Sequence, residues 1–409
     1  MVLNFHGGVI SGNTILTSPI ILYNNGIMNP DIKHIKRDLE DTLRKYLDKN
    51  KVIVLYGARQ VGKTTLSQSL FSNKEEVLYL SCEQSRIQEQ IIPDSLALSR
   101  VVGDYKYVIF DEAQYLSNPG LILKIFIDNF PDKNVLASGS SSFDLAHKLT
   151  EPLTGRHYKF LLFPLLLSEI VRAVPPTDVR FHLEQSLMFG TYPEVFKLKT
   201  NEEKIHHLQT LTDAYLYKDI LAFNLVKNSQ KVKELLIALA LQLGNEVSYT
   251  ELATTVGVDR KTIEYYLDLL EKSFVIFRLY GFSRNLRSEI NRKVKIYFYD
   301  IGVRNTLINN FNELSLRNDA GAIFENFVVA EKVKKDANKQ QKTNFYFWRT
   351  YDQKEIDLVS EKNGLITAYE MKLHRPKKLS SFSAFQELYP KSEMKVITLD
   401  TVLEELTSR

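Results

Sequence analysis

The 409-residue chain has little cysteine, no long apolar run and little net charge. Its one cysteine, Cys82, cannot form an intramolecular disulfide, which excludes a disulfide-stabilised scaffold and fits a reducing cytoplasm. No stretch reaches the about 18 consecutive apolar residues of a membrane span, so we expect no membrane partner. The net charge of +4 is too small to indicate a nucleic-acid binder, so a basic surface would need local clustering of lysine and arginine.

The composition itself is that of an ordinary globular protein, with 44% hydrophobic and 25% charged residues. At about 150 residues per domain, this length predicts several domains. Residues 1–27 show no sustained apolar period, and regular sequence begins at Met28. We therefore expect residues 1–27 to be a loose, dispensable tail or an extension upstream of the true reading frame.

Residues 28–165 predict an α/β domain with a doubly wound parallel sheet. Short apolar runs, typical of buried strands, alternate there with helical stretches, and a first helix is expected over residues 31–48. The strand-like runs are residues 52–56, 77–81, 107–110, 135–138 and 158–163. The pattern then changes three times, which predicts a helical lid or linker (166–229), a winged-helix-like module (230–300) and a further α/β domain (301–409).

A phosphate-binding loop follows the first strand. Residues 57–64 match G-x-x-x-x-G-K-[ST] completely, between a predicted strand and a predicted helix. Backbone amides and the helix N-terminus would hold the phosphates of ATP, Lys63 would reach the β- and γ-phosphates, and Thr64 would ligate Mg²⁺. The predicted nucleotide-binding residues are Gly57, Ala58, Arg59, Gln60, Val61, Gly62, Lys63, Thr64 and Thr65.

The acidic half of such a site is predicted at the end of another buried strand. Asp111 and Glu112 follow four apolar residues. Asp111 would hold Mg²⁺ through water, and Glu112 would deprotonate the attacking water, which favours hydrolysis over simple nucleotide binding. The extra strand over residues 77–81 suits the additional-strand class of P-loop ATPases.

Three further polar residues are candidates for contact with the γ-phosphate. Ser138 and Ser140 end the next strand and would bind the phosphate or the attacking water; capping of the following helix is an equal alternative. Arg156 precedes the last strand and is a candidate for the γ-phosphate of its own or a neighbouring subunit, against the alternative of a surface arginine. A homo-oligomer therefore stays open.

Together these motifs resemble a large, poorly characterised family of prokaryotic AAA-type ATPases, and the resemblance covers about residues 28–373. Its matching segments are residues 56–65, 111–114, 139–141, 153–156, 190–195, 297–302 and 324–326. The resemblance implies ATP binding and a C-terminal region similar to restriction endonucleases, but no known physiological role.

The middle of the chain shows a helix-turn-helix pattern. Ser248 and Asp259 are predicted helix N-caps, Gly257 turns the chain, and a third helix follows over residues 260–272. Arg260, Lys261 and Thr262 would lie at the exposed start of the recognition helix. Beyond the next strand, a candidate patch for DNA phosphates, opposed only by Glu289, consists of Arg284, Arg287, Arg292, Lys293 and Lys295. Acidic residues on the third helix favour the alternative of a protein-contacting module or an ATPase lid.

In the C-terminal region, an Asn363-Gly364 turn predicts a hairpin whose cross-strand partners have numbers summing to 727. Asp357 would then pair with Glu370, and Glu355 with Lys372, all on one face. Asp…Glu-x-Lys is the metal-and-lysine pattern of restriction-endonuclease-like folds, in which acids bind Mg²⁺.

Glu325 resembles the extra acidic ligand of that fold, so Glu325, Asp357 and Glu370 with Lys372 are a candidate nuclease-like metal site. The alternatives are a solvated hairpin face with a Glu–Lys pair and an inherited fold that no longer cuts. The sequence therefore leaves three functions open: an ATPase coupled to a nucleic-acid-binding region, an ATP-dependent binding switch for DNA or a protein, and an ATP-dependent nuclease.

Overall fold

The computed structural model describes residues 35–140, 153–214, 228–282, 294–376 and 380–408. They form a five-stranded parallel α/β sheet, a helical segment, and a seven-stranded mixed sheet with helices against it. This is the predicted fold class. The predicted tail, residues 1–27, lies outside the described residues.

The first sheet has the strand order β2-β3-β4-β1-β5, and every neighbouring pair is parallel. Its strands are β1 (Val52–Gly57), β2 (Val77–Ser81), β3 (Tyr107–Asp111), β4 (Asn134–Ser140) and β5 (His157–Leu162). All five lie within one or two residues of the predicted apolar runs. β4 separates β1 from β3, so the strand that precedes the loop and the strand that ends in acids are not adjacent, as predicted.

Helices cover both faces of this sheet and bury two apolar clusters. They are α1 (Asp38–Arg44), α2 (Lys63–Phe71), α3 (Ser85–Gln90), α4 (Ser95–Val102) and α5 (Pro119–Asn129). Helix α1 is shorter than the predicted 31–48. Arg37 has extended backbone, because its side chain turns inward to make buried contacts described below.

The segment after β5 is helical, as predicted for the lid or linker. Its helices are α6 (Leu167–Ala173), α7 (Val179–Phe189), α8 (Pro193–Lys197) and α9 (Asn201–Ala214). Gly190 ends α7 with a positive φ of 74°, and Pro193 opens α8, where a missing N–H costs nothing.

The three helices of the helix-turn-helix pattern are present, and the third has the predicted bounds. They are α10 (Ser229–Leu241), α11 (Tyr249–Val256) and α12 (Arg260–Lys272). Ser248 accepts from Glu251 N, Asp259 accepts from Thr262 N, and Gly257 has a φ of 72°. The caps and the turn residue thus act as predicted; a winged-helix role stays a prediction.

The second sheet runs through both units that the sequence predicted as separate, with the order β12-β11-β10-β9-β7-β8-β6. Its strands are β6 (Glu246–Val247), β7 (Ile276–Gly281), β8 (Val294–Phe298), β9 (Asn344–Arg349), β10 (Glu355–Lys362), β11 (Leu365–Met371) and β12 (Glu393–Ile397). The remaining helices are α13 (Ile301–Leu307), α14 (Ala320–Asn338), α15 (Ser380–Leu388) and α16 (Val402–Thr407). Parallel pairing of β7 with β9 joins the two units across residue 300.

Among the described residues, no helix is both long and apolar enough to cross a membrane.

Candidate functional site

The phosphate loop lies at the carboxyl end of β1 and leads into α2. Gly57 must be glycine, because a Cβ there would lie 2.3 Å from the carbonyl oxygen of Leu162 on β5. Gln60 and Gly62 have φ values of 58° and 97°, which turn the chain over the N-terminus of α2. The free amides of that helix end face the loop, as an anion site requires.

Lys63 is buried and folds back over its own loop. Its Nζ donates to the carbonyl oxygens of Gly57 and Ala58, both at 3.1 Å, and lies 3.8 Å from Glu112 Oε1. The two carbonyls are neutral acceptors, which a lysine can exchange for phosphate oxygens at little cost.

Asp111 receives hydrogen bonds on both carboxylate oxygens. Thr64 Oγ1 donates to Oδ2 at 2.8 Å, Tyr79 also donates to Oδ2, and Ser138 donates to Oδ1. One hydroxyl and one carboxylate at contact distance fit Mg²⁺ held with a nucleotide, because that ion takes few protein ligands and keeps waters and phosphate oxygens. Tyr79 was not predicted. Only its place on the strand beside β3 could have indicated it.

Glu112 is held in a defined position beside Lys63. Its backbone has the left-handed φ of 54°, its N–H donates to Ser138 Oγ at 3.2 Å, and Gln114 donates to its Oε2. A non-glycine residue in this conformation is strained, and such strain is common at functional sites. The predicted pair of acids thus reaches the predicted lysine and threonine.

Ser138 is fully buried and touches the two acids, so the structure places it as a residue that positions them. The side chain of Ser140 lies outside the described residues. Arg156 precedes β5 and lies at the amino end of the strands, whereas the loop lies at their carboxyl end. The two are about 17 Å apart along β1. Arg156 pairs with Asp128 at 2.8 Å and does not reach the phosphate loop of its own chain; contact with a neighbouring subunit stays a prediction.

Arg37 connects the loop to the rest of the chain. Its Nη1 donates to Val61 O at 2.8 Å, its Nη2 to Phe163 O at 2.6 Å, and its Nε pairs with Glu169 at 2.9 Å. Both charged side chains are buried, so neither can lose its partner cheaply.

The C-terminal hairpin has the predicted register. Leu358 pairs with Tyr369, and both turn residues, Asn363 and Gly364, have positive φ. Lys372 Nζ lies 2.8 Å from Glu370 and 3.5 Å from Asp357. These three side chains therefore meet as predicted.

Two other predictions for this region are corrected. Glu355 does not pair with Lys372; it contacts Lys295 and lies 3.5 Å from Arg349, because β10 changes register between Ile356 and Val359. Lys295 is 1% exposed, so it cannot contact DNA phosphates from this position. The other four basic residues of that patch, residues 284–293, lie outside the described residues.

Lys295 also contacts the predicted Glu325, at 3.1 Å, and Tyr297 donates to the same Glu325 oxygen at 2.7 Å. Burial, opposed by the charge of Lys295 and assisted by that of Asp357, raises the pKa of Glu325 to about 7. Burial and then Asp357 likewise raise the pKa of Glu370 to about 7. The cluster holds more buried carboxylate than it can fully ionise.

The cluster does not fit a divalent metal as it stands. Within the described ranges no three His, Cys, Asp or Glu side chains are arranged so that they could hold a metal ion. A lysine ammonium already stands between the acids.

Three of the remaining sequence motifs form one junction. Asp300 Oδ2 accepts from Thr191 N at 2.7 Å, and a Cβ on Gly190 would lie 2.1 Å from Asp300 Oδ1. The Asn326 amide pairs with both backbone groups of Phe298 at 2.8 Å. These motif residues are structural and join the helical segment, β8 and α14.

At the start of α12, Arg260 and Lys261 are exposed, as predicted. Arg260 pairs with Glu264 at 3.0 Å, and the Thr262 hydroxyl donates to its cap, Asp259. A DNA contact here stays a prediction.

Comparison with known proteins divides the chain into three parts. Residues 49–171 match the family model of an AAA domain, residues 180–314 match a domain of unknown function, DUF8612, and residues 320–405 match another, DUF4143. None of the three matches supports the restriction-endonuclease resemblance expected for the C-terminal region.

Similar whole proteins are themselves uncharacterised. One from Mycobacterium tuberculosis is 26% identical over 340 residues, covering 82% of this chain and 74% of that protein. One from Methanocaldococcus jannaschii is 25% identical over 379 residues, covering 87% and 82%. A Walker-type ATPase of Pyrococcus abyssi aligns with 68% of this chain and 96% of its own, at 18% identity and a TM-score of 0.48. The AAA-domain match, on the strand order and loop described above, identifies the first sheet and its helices as a P-loop ATPase domain of the AAA type.

Proposed function

We propose that this protein binds ATP with Mg²⁺ and hydrolyses it at the loop on β1. The observation that supports this most is the meeting of Lys63 and Thr64 with Asp111 and Glu112, from two strands that are not neighbours. A nucleotide-binding protein without hydrolysis has no need for a second carboxylate held beside the lysine.

Each residue has a distinct part in this reaction. Lys63 leaves the carbonyls of its loop and binds phosphate oxygens, while Thr64 and Asp111 are the residues that would hold Mg²⁺. A water attacks the γ-phosphorus, its proton passes to the Glu112 carboxylate, and the bond between the γ-phosphorus and the bridging oxygen breaks to give ADP and phosphate.

The test is the Glu112→Gln variant. It should bind ATP with unchanged affinity and hydrolyse it about 10²-fold more slowly or worse, the scale of a general base. Steady-state phosphate release and fluorescent-nucleotide titration measure the two quantities. Glu83→Gln, an exposed acid just beyond β2, is the matched control and should keep the wild-type rate. Wild-type turnover by Glu112→Gln would refute the role of Glu112.

A second function is favoured by the contacts of Arg37: a switch in which ATP changes affinity for DNA without cutting it. Glu169, the partner of Arg37, also accepts from the backbone N–H of Leu166 at 2.9 Å. The next N–H, that of Leu167, donates to Glu331 on α14 at 2.7 Å. Buried contacts thus run from the phosphate loop to the helix that carries Glu325, so a change at the loop has a route to the C-terminal sheet.

Duplex DNA affinity, measured by fluorescence anisotropy at fixed salt in the Glu112→Gln background with ATP, with ADP and without nucleotide, tests this switch. We expect ATP to change the affinity, and Arg37→Lys to reduce that change while ATP still binds. Arg172→Lys, whose exposed guanidinium pairs with Asp38, is the control. Equal DNA affinity in all three nucleotide states would contradict the switch.

A further inference from the structure

The acidic cluster of the C-terminal sheet is built around one buried cation. Lys295 projects from the middle of β8 and is 1% exposed. Its ammonium contacts Glu325 of α14 and Glu355 of β10, and the ring of Phe347 on β9 lies 5.7 Å away. Three elements of the sheet and the helix against it therefore meet at this one nitrogen.

The charges of the cluster can be balanced without a metal ion from solution. Its five carboxylates belong to Glu246, Glu325, Glu355, Asp357 and Glu370, and its three cations to Lys295, Arg349 and Lys372. Two protons shared among the acids would make it neutral. A divalent cation bound by Glu325 would lie beside the ammonium of Lys295, which pairs with the same carboxylate at 3.1 Å, and repulsion between such charges is strong in a buried site.

The carboxylate of Glu370 is only partly hydrogen-bonded. Glu370 is 6% exposed, and its Oε2 is buried without a hydrogen-bond partner. Its Oε1 pairs with Lys372 at 2.8 Å. The side chain thus keeps one acceptor oxygen unused, and the positive charge beside it comes from Lys372.

We propose that the Lys295 ammonium is the permanent cation of this cluster and excludes Mg²⁺ and Mn²⁺ from the C-terminal site. The arrangement of acids and Lys372 on the hairpin then does not perform metal-assisted cleavage. Removal of the Lys295 charge alone should open the acids to a divalent ion.

The experiment is a titration of Mn²⁺ into the full chain without nucleotide, with free Mn²⁺ followed by electron paramagnetic resonance. Wild type, Asp357→Asn, Lys295→Met and Lys295→Met/Asp357→Asn are compared. Lys332→Met is the matched control, since Lys332 lies on α14 and pairs with Glu405 outside the cluster. Methionine is unbranched and matches the apolar stem of lysine, so the substitution removes the ammonium, with its charge and its N–H donors, and little else.

We expect wild type, Asp357→Asn and Lys332→Met to show the same weak binding. Lys295→Met should gain one site that is about tenfold tighter or more, and the double variant should lose it. A wild-type site that disappears in Asp357→Asn would overturn the proposal, and this arm decides the matter even if Lys295→Met does not fold. A folded Lys295→Met chain, checked by circular dichroism, that gains no site would also overturn it.

Discussion

Two of the buried lysines that lie beside acids, Lys63 and Lys295, are held in opposite ways. Lys63 donates to two neutral carbonyls and lies 3.8 Å from Glu112 Oε1. Lys295 is in direct contact with two carboxylates. Hydrogen bonds to charged acceptors are about twice as strong as neutral ones, so the first lysine can change partners and the second cannot. A lysine near acids in a sequence therefore indicates a site only when its contacts can be exchanged.

The largest effect is expected from Lys63, whose hydrogen bonds to the loop carbonyls can be exchanged for phosphate oxygens. Lys63→Ala should lower ATP turnover by about 10²–10³-fold, because it removes a cation from the developing charge on the phosphates. Lys51→Ala, which removes a cation just before β1 at the other end of the strand from the loop, is the control in the same phosphate-release assay. Turnover within threefold of wild type in Lys63→Ala would place the reaction elsewhere.

The next largest effect is expected at Gly190, which packs against Asp300 in the junction described above. Gly190→Ala should destabilise the protein by about 2–4 kcal/mol, because the new Cβ meets Asp300 and the backbone has a positive φ. Thermal unfolding measures the change. Gly321→Ala is the control, since a Cβ there meets nothing within 4 Å, and it should be neutral or slightly stabilising. Equal melting temperatures of the two variants would show that the chain around Gly190 and Asp300 can move to accommodate the new Cβ.

A smaller effect is expected from Tyr79, whose hydroxyl donates a hydrogen bond to Asp111 beside the phosphate loop. Tyr79→Phe should raise the Mg²⁺ concentration needed for half-maximal ATPase activity by about tenfold, because Asp111 loses one of the hydrogen bonds that orient it. The rate at saturating Mg²⁺ should change little. Tyr105→Phe, remote from Asp111, serves as the control, and a uniform loss of rate at all Mg²⁺ concentrations would contradict a positioning role.

The smallest effect concerns the charge balance around Lys295. The pKa of Glu370 in the folded chain is about 7, above its usual value, so its stabilising contribution is present at low pH and is lost as pH rises through about 7. Asp357 and Lys372 are the charged groups that face it. The melting temperature of wild type minus that of Glu370→Gln should therefore fall by a few degrees between pH 5 and pH 8.

Glu393→Gln, an exposed acid on β12, should show no such change. A difference between wild type and Glu370→Gln that is constant with pH would show that Glu370 does not titrate in this range.

The features that the sequence predicted correctly are those that depend on residues close together in the chain. The loop on β1, the acids after β3, the helix caps and the Asn363-Gly364 register follow from spacing within a few residues, and the structure has all of them. Lys295 was misplaced because its neighbours in sequence are basic, whereas its neighbours in space are acids from distant segments.

The places of Tyr79 and Arg156 depend on strand order and direction, which no single segment specifies. Arg156 directly precedes β5, which pairs with β1, but it lies at the amino end of these strands, whereas the phosphate loop lies at the carboxyl end of β1. The bounds of β1, in contrast, were predicted to within one residue, because its own apolar run defines the strand.

The parallel pairing of β7 with β9 has a consequence for how the chain is made. On the ribosome, β7 emerges early and keeps an open edge until Tyr346 arrives to pair with Tyr280. An open strand edge is a template for association with other chains. A product that stops before β9, or a fragment that begins at residue 318, leaves one side of that pairing bare, so we expect both pieces to aggregate when expressed alone and to remain soluble when co-expressed.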